Sequence, residues 1–292
     1  MAVIFFQHIL TFCFFINSMT LDILHINKLF ATDNYTVESI NVKRTVKYDA
    51  YYNNSINFSS DSVSLLLVND GQDLVKMQFQ DILSKTDSLT PLKPLLIIGI
   101  HCGADRIEEY GTADILDFKG RGKKAADYRR FIVEELIPKL QVQYKVKKFS
   151  EISYAGFSLG GLSAIDIAWK YPKIFTKVGV FSGALWWRNL ALDSGYQEDK
   201  NKIMHQLIRQ GNYQPHMKFF FEVGRLDETS DRNNNGIIDA IDDTRDLINE
   251  LQSKGYSANK DIEYLELPDG KHDVNTWSKA FPAFLIWGWR KN

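Results

Sequence analysis

The amino-acid sequence predicts an α/β fold with a mostly parallel central sheet of about eight strands and helices on both faces. Five short apolar runs have the nearly continuous hydrophobicity of parallel strands that are buried on both faces. These runs lie at residues 63–68, 95–100, 152–157, 178–181 and 219–223. Stretches with helical periodicity alternate with them along the chain, and this alternation is typical of a parallel sheet wrapped by helices.

The remaining elements follow from the same patterns. Residues 37–52 alternate polar and apolar side chains with a period of two, which predicts one or two edge strands. Residues 262–267 form the last predicted strand. The predicted helices are 124–143, 160–171, 199–210, 239–253 and 274–289.

Composition and charge narrow the class of protein. The 292 residues are 45% hydrophobic and 24% charged, which is enough apolar material for a sizeable core and excludes a disordered chain. The 35 basic and 36 acidic residues give a net charge of −1, so we expect no nucleic-acid partner. Only two cysteines occur, Cys13 and Cys102, which excludes a disulfide scaffold and a cysteine-rich zinc module.

The first residues of the chain need separate treatment. Residues 2–16 are almost wholly apolar, but they lack a preceding Lys or Arg and a small-residue cleavage site. We expect residues 1–18 to be either a weak signal peptide or sequence upstream of a true start at Met19. The protein would be exported in the first case and cytoplasmic in the second. Residues 19–292 are predicted to form a single α/β domain without stable membrane insertion.

A serine flanked by glycines follows the strand at 152–157. The segment Gly156-Phe157-Ser158-Leu159-Gly160 has the G-x-S-x-G pattern of a sharp turn from strand to helix, with an exposed serine at its tip. Small flanking residues are needed there because the two backbones approach closely, and the helix N-terminus favours developing negative charge. We therefore predict that Ser158 is a nucleophile, against the alternative of an ordinary glycine-rich turn. Cys102 also follows a strand, but it lacks the flanking glycines, so we expect a buried free thiol there.

A nucleophilic serine needs a base and an acid, which follow it in this order: serine, acid, histidine. His272 lies between the last predicted strand and the last predicted helix, where the base should be, and it is the best placed of the six histidines. The acid should follow the strand at 219–223, and Asp227 fits that position. Glu228 is its nearest rival and Asp231 a further one. The acid would hold the tautomer of the imidazole and stabilise the imidazolium.

The donors that would stabilise an oxyanion are expected to be main-chain groups. One is the N–H of Leu159, the residue after the predicted nucleophile. The second should come from the loop after the strand at 63–68, where Gly71 permits an unusual backbone and the N–H of Gln72 is the candidate. An ordinary Asp-Gly turn is the alternative for this loop.

These segments together resemble the esterase family of the α/β-hydrolase fold, which includes S-formylglutathione hydrolases, feruloyl and acetyl xylan esterases and enterochelin esterases. The matching segments are Asp70-Gly71-Gln72, Arg106-Ile107-Glu108-Glu109-Tyr110, Gly156-Phe157-Ser158-Leu159-Gly160-Gly161, Gly224-Arg225-Leu226-Asp227 and Gly270-Lys271-His272-Asp273, with Trp277 beyond them. The resemblance implies the α/β-hydrolase fold, with Ser158, Asp227 and His272 as the catalytic triad. The first oxyanion loop departs from the family, because it has Asp-Gly-Gln where the family has His-Gly-Gly.

The same resemblance implies a substrate pocket. Residues 182–187, which include Trp186 and Trp187, are similar to the family's loop near the acyl pocket, and plain core packing is the equal alternative. Arg106 is expected to border the pocket. Nothing in the sequence marks a glutathione, ferulate or catecholate site.

Residues 231–242 have the spacing of a twelve-residue calcium loop, with Gly236 at the sixth position for the sharp bend. The predicted ligands are the side chains of Asp231, Asn233, Asn235 and Asp242 and the main-chain carbonyl of Ile237. The last position is Asp where an EF-hand has Glu, as in dockerin-type loops. The alternative is a turn held by its own side-chain hydrogen bonds. A bound ion would brace the loop that carries Asp227.

The sequence therefore predicts a serine hydrolase that cleaves small-molecule carboxylic esters through an acyl-enzyme and requires no cofactor. A structural Ca²⁺ at residues 231–242 is one of the two interpretations of that loop. A thioesterase or a peptidase would use the same groups. The alternative from another class is a non-catalytic, calcium-dependent binding protein on the same fold.

Overall fold

The computed structural model describes residues 29–258 and 260–291, so residues 1–18 lie outside the described part of the chain. The strands of this part form one sheet in the order β1-β2-β4-β3-β5-β6-β7-β8. They are β1 Phe30–Ser39, β2 Arg44–Asn53, β3 Ser64–Asn69, β4 Leu95–Ile100, β5 Ile152–Phe157, β6 Phe175–Phe181, β7 Lys218–Leu226 and β8 Ile262–Lys271. Strand β2 pairs antiparallel with β1 and β4, and the pairs from β4 to β8 are parallel.

The helices alternate with the parallel strands, and the predicted α/β fold is confirmed. They are α1 Gly71–Lys76, α2 Phe79–Leu89, α3 Arg106–Glu109, α4 Ala125–Arg130, α5 Ile137–Gln143, α6 Leu159–Lys170, α7 Glu198–Asn201, α8 Ile203–Gln210, α9 Asp239–Lys254 and α10 Val274–Trp289. A π-helical segment, Phe131–Leu136, joins α4 to α5. Among the described residues, no helix combines the length and apolarity that crossing a membrane requires.

The observed helices differ from the predicted ones at Lys202 and after β3. The helix predicted at 199–210 is broken into α7 and α8 at Lys202, whose backbone is extended. The side chain of Lys202 is buried and its ammonium lies 3.0 Å from Asp243, so its ion pair is made inside the fold. Helices α1 and α2 were not predicted. Each begins after a residue with a positive φ angle, Asp70 and Gln78, and neither has a side-chain hydrogen bond that caps its first turn.

Apolar side chains cover both faces of the sheet. One cluster lies between the sheet and the helices from α4 to α9, and it includes Tyr128 and Leu162. The second lies between the opposite face and helices α1, α2 and α10, and it is rich in aromatic rings. The ring of Phe157 at the end of β5 stacks on Trp277 of α10 at 5.0 Å, so the last helix is fixed against the strand that precedes Ser158.

Helix α6 and strand β5 are in main-chain contact. A Cβ atom on Gly156 would collide with the main-chain carbonyl of Gly160, and one on Gly161 would lie 2.9 Å from the carbonyl oxygen of Gly156. Backbone atoms cannot move aside as a flexible side chain can. The close approach that the G-x-S-x-G pattern predicts is therefore present at these glycines.

We expect Gly156→Ala to destabilise the protein by about 3 kcal/mol or more, because the added methyl group overpacks a site with no free volume. Chemical denaturation monitored by circular dichroism measures the change. Gly288→Ala, within α10, is the matched control. Its Cβ atom would meet only Lys177 at 3.7 Å, and alanine is favoured over glycine in a helix by about 0.5–1 kcal/mol. Equal stability of Gly156→Ala and the wild type would contradict the main-chain contact.

Candidate active site

Ser158 occupies the turn between β5 and α6 in a strained conformation. Its φ and ψ angles are 54° and −122°, a region that a residue with a side chain seldom adopts. The Ser158 N–H donates to the carbonyl of Phe181 at 2.8 Å, and its own carbonyl accepts from the N–H of Ala184 at 3.0 Å. Hydrogen bonds to the end of β6 and the loop after it therefore hold the strained turn in place.

His272 and Asp227 are joined by a hydrogen bond at the same edge of the sheet. The Nδ1 atom of His272 lies 3.2 Å from Oδ2 of Asp227. The Asp227 side chain is 2% exposed and the His272 side chain 43% exposed. The acid is therefore buried while the imidazole reaches solvent. Neither Glu228 nor Asp231, the other candidate acids, is bonded to His272.

Ser182 and Trp277 fix the orientation of this pair. The Ser182 hydroxyl donates to Oδ1 of Asp227 at 3.0 Å, and the indole N–H of Trp277 donates to the Ser182 hydroxyl at 3.0 Å. The Trp277 ring meets the His272 ring edge-on, with centroids 5.4 Å apart. Sequence reasoning did not single out Ser182 for this role, although it lies at the end of a predicted strand.

The same aromatic contacts bring His272 close to the serine turn. Trp277 touches His272 on one side and stacks on Phe157, the residue before Ser158, on the other. The Ser158 hydroxyl itself makes no hydrogen bond to any described residue. Serine, imidazole and buried carboxylate thus lie within one cluster, with the serine hydroxyl unengaged.

The loop after β3 is joined to α3 by a buried ion pair and to the serine turn by a hydrogen bond. The Nε and Nη2 atoms of Arg106 each donate to one carboxylate oxygen of Asp70 at 2.7 Å, and Asp70 is 1% exposed. The amide nitrogen of Asn69 donates to the carbonyl of Gly160 at 2.8 Å. The structure therefore places Arg106 as the partner of a buried acid, with its own side chain one-third exposed.

Gln72 lies in the first turn of α1, where main-chain N–H groups have no partner within the helix. Its side chain is engaged with Cys102: the Cys102 N–H donates to Oε1 at 3.2 Å, and Nε2 lies 3.3 Å from Sγ. Cys102 is a free, half-buried thiol, and burial raises its pKa to about 11. It therefore remains protonated at neutral pH, which makes it a weak nucleophile.

The two tryptophans of the loop after β6 have different environments. Trp187 is fully buried in the core, as the packing interpretation predicts. Trp186 is half-buried and lines a cavity of about 270 Å³, together with Glu228. Of the two, Trp186 is the one that can meet a bound molecule.

The side chains predicted to bind calcium come together in residues 231–242. The amide groups of Asn233 and Asn235 donate to Asp242 at 3.1 and 2.7 Å. Asp231 accepts from the main-chain N–H groups of Asn235 and Gly236 at 3.1 and 2.9 Å. The loop has the bend that a calcium loop needs, and it also has the internal hydrogen bonds of the alternative interpretation. The carbonyl of Ile237 follows this bend.

Glu222 is a buried carboxyl group that sequence reasoning missed. It lies on β7, is 1% exposed, and neither of its side-chain oxygens has a hydrogen-bond partner among the described residues. Burial, reinforced by the charge of nearby Asp227, raises its pKa to about 8. The sequence does carry a signal for it, because Glu222 is the single charged residue within the otherwise apolar strand run 219–223.

A strained serine at a strand-to-helix turn and a histidine–aspartate pair both lie at the carboxyl edge of one parallel sheet, an arrangement typical of hydrolases of the α/β class. The family model described as "Putative esterase" matches residues 59–287, more than three quarters of the chain. The chain belongs to this esterase family and is a carboxylic ester hydrolase of the α/β-hydrolase fold.

The individual proteins that this chain resembles share a quarter or less of its residues. The chain is 25% identical to the uncharacterized protein YbbA of Bacillus subtilis (strain 168) over 84% of its own length and 93% of that protein. It superposes on the enterobactin esterase FES of Shigella flexneri, solved with enterobactin, with a TM-score of 0.66 and 18% identity. That match covers 88% of this chain but only 58% of the Shigella protein. A ferulic acid esterase gives 0.65 and 15% identity, covering 88% of this chain and 96% of that one.

We expect Glu222 to make the protein less stable as the pH rises. Its pKa is raised from 4.5 to about 8 on folding, so the native state binds more protons than the unfolded state between these values. Stability should fall by about 1.4 kcal/mol for each pH unit in this window. Glu222→Gln cannot ionise, so its stability relative to the wild type should increase between pH 5 and pH 8.5.

Urea denaturation at these two pH values measures the effect. Glu222→Asp is the matched control because it keeps a carboxyl group and should keep the pH dependence. A constant difference between wild type and Glu222→Gln at both pH values would show that Glu222 does not titrate in this range.

Proposed function

We propose that Ser158, His272 and Asp227 form a catalytic triad that hydrolyses esters through a covalent acyl-enzyme. The observation that carries this proposal is the bond from His272 to buried Asp227, beside a serine held at φ 54°. Because the Asp227 carboxylate accepts a hydrogen bond from Nδ1–H of the imidazole, the other nitrogen, Nε2, is left unprotonated to act as the base. The exposed imidazole is accessible to the serine hydroxyl and to a leaving group.

In the proposed first step, Nε2 of His272 takes the proton of the Ser158 hydroxyl while Oγ attacks the ester carbonyl. The proton then passes to the departing alcohol as the C–O bond breaks. Water, activated by the same nitrogen, releases the acid and restores Ser158. The Ser158–His272 hydrogen bond that this step needs is not formed in the structure, and such bonds often tighten only when substrate is present.

The proposed oxyanion site consists of the N–H groups of Leu159 and Gln72. Each lies in the first turn of a helix, α6 and α1, so neither has an intrahelical acceptor. The helix N-termini also add favourable partial positive charge. The bond from the Asn69 side chain to the Gly160 carbonyl supports this proposal, because it ties the chain just before α1 to the first turn of α6. Arg106 adds to this link by donating to Asp70 at 2.7 Å and to the Phe157 carbonyl at 3.5 Å.

Small-molecule esters are the proposed substrates. Family membership supports ester hydrolysis, and the similar solved structures include esterases named for enterobactin and ferulic acid. A general assay with 4-nitrophenyl esters is therefore the appropriate first test.

Ser158→Ala should lower kcat/KM for 4-nitrophenyl butyrate by about 10⁴-fold or more, because the nucleophile is lost. Asp227→Asn should also reduce the rate strongly, because an amide no longer fixes the base tautomer. Ser88→Ala, at an exposed position on α2, is the control and should leave the rate unchanged. Equal rates for Ser158→Ala and the wild type, with both proteins folded, would rule out Ser158 as the nucleophile.

We also propose that residues 231–242 hold Ca²⁺ as a structural ion, as their spacing predicts. Calcium at 100 times its dissociation constant would stabilise the native state by about 2.7 kcal/mol. We therefore expect Ca²⁺ to raise Tm by several degrees relative to EDTA, with little change in kcat. Asp231→Asn combined with Asp242→Asn should abolish the shift, and Asp193→Asn should preserve it. An identical Tm with Ca²⁺ and with EDTA would contradict the proposal.

A further inference from the structure

A cavity of about 270 Å³ opens beside the candidate active site. Glu228, the residue after Asp227, forms part of its wall, and so does Trp186. The N–H of Ala184, two residues before Trp186, donates to the carbonyl of Ser158. Two residues of extended chain span at most about 7 Å, so the part of the cavity wall formed by Trp186 lies close to the serine turn.

Four cationic side chains line the cavity, and two of them are already neutralised. Arg121 binds the buried carboxylate of Asp117 through Nε at 2.7 Å. Arg232 binds Glu198 through Nε at 2.5 Å, and it also contacts Asp243. The charges of these two arginines therefore belong to internal ion pairs that build the wall.

The other two cations, Arg188 and Lys119, have no carboxylate partner among the described residues. The Arg188 guanidinium carbon lies 4.7 Å from the Phe118 ring, 5.8 Å from the Tyr196 ring and 6.0 Å from the Trp186 ring. Its Nε atom is buried and has no hydrogen-bond acceptor within residues 29–258 and 260–291. The aromatic rings thus hold an uncompensated guanidinium in a fixed place at the cavity.

The acidic groups of the wall do not compensate Arg188. Asp239 is paired with Arg232 at 3.1 Å. Glu228 makes no ion pair with any residue that the structure describes. Burial and the charge of Asp239 raise its pKa, which favours its neutral form. A buried N–H without an acceptor costs free energy, which an acceptor on a bound ligand would recover.

We propose that Arg188 is a specificity-determining residue that binds a carboxylate on the ester substrate. A planar guanidinium matches a carboxylate with two parallel hydrogen bonds, and stacking on aromatic rings fixes its orientation in advance. The preferred substrates are then esters that carry a second, free carboxylate. This inference rests on the proposed function, because it assumes that the ester bond is cleaved at Ser158.

Matched ester pairs test the preference and show on which side of the ester the carboxylate lies. For the acyl side, 4-nitrophenyl hemiadipate is compared with 4-nitrophenyl hexanoate, which has the same chain length without the charge. For the leaving-group side, 4-carboxyphenyl hexanoate is compared with 4-carbamoylphenyl hexanoate. In one of the two pairs, the wild type should prefer the carboxylate ester.

Arg188→Gln should raise KM for the preferred carboxylate ester about 10- to 100-fold, the usual range for a lost hydrogen bond to a charged group. Its kcat/KM for the neutral partner should stay within about twofold. Arg188→Lys keeps the charge but loses the planar fork, so its KM for the carboxylate ester should lie between those of the wild type and Arg188→Gln. Arg290→Gln, at the opposite edge of the sheet, is the control and should behave like the wild type. Melting temperatures establish that all variants are folded.

Calorimetry on Ser158→Ala separates the proposed carboxylate site from the proposed triad. The ligands are monomethyl adipate and 4-acetamidobenzoate, the amide analogue of a 4-carboxyphenyl ester. Both ligands carry a carboxylate and neither is turned over by this variant. Loss of binding in Ser158→Ala with Arg188→Gln supports the carboxylate site even if the triad assignment fails. Ser158-dependent esterase activity with equal rates on both members of each pair would overturn the role of Arg188 and leave the triad intact. Unchanged binding of both ligands after Arg188→Gln would also overturn the role of Arg188.

Discussion

Main-chain contact between β5 and α6 is the constraint on which the candidate site depends. Without side chains at Gly156 and Gly160, the helix can start directly against the strand, and Ser158 is left at the tip of the turn. The carbonyl of Gly160 also accepts the bond from Asn69, so the same contact positions the loop after β3. The strain at Ser158 is thus balanced by hydrogen bonds to neighbouring elements, and it keeps the hydroxyl free of the helix that follows.

Three buried carboxyl groups near the site differ in role because their partners differ. Asp70 is held by Arg106 and serves to join two loops. Asp227 accepts from Ser182 and contacts an exposed imidazole, so this acid is connected to a group that can act as a base. Glu222 has no partner, and burial therefore favours its neutral form. A neutral carboxyl beneath Asp227 avoids a second negative charge in the same apolar layer.

Local sequence patterns are sufficient for those features that lie within one element. The bounds predicted at 95–100, 152–157 and 274–289 agree with β4, β5 and α10. Ser158, Asp227 and His272 each follow a strand directly, so the strand pattern alone places them at one edge. Partners that are distant in sequence could not be predicted. Asp70 and Arg106 are 36 residues apart and Ser182 and Asp227 are 45 apart, and nothing local to either residue identifies the other.

The near-zero net charge of the chain conceals a local imbalance that only the three-dimensional arrangement shows. Guanidinium groups of Arg106, Arg121 and Arg232 are each taken up by carboxylates that are buried or nearly so, and their charges cannot select a substrate. Arg188 has the same side chain but aromatic rings as neighbours, which fix its position without neutralising it. An arginine that is ordered and uncompensated retains its capacity to bind an anion. Selectivity in this esterase is therefore expected to depend less on the number of cations near the site than on which of them the fold leaves unpaired.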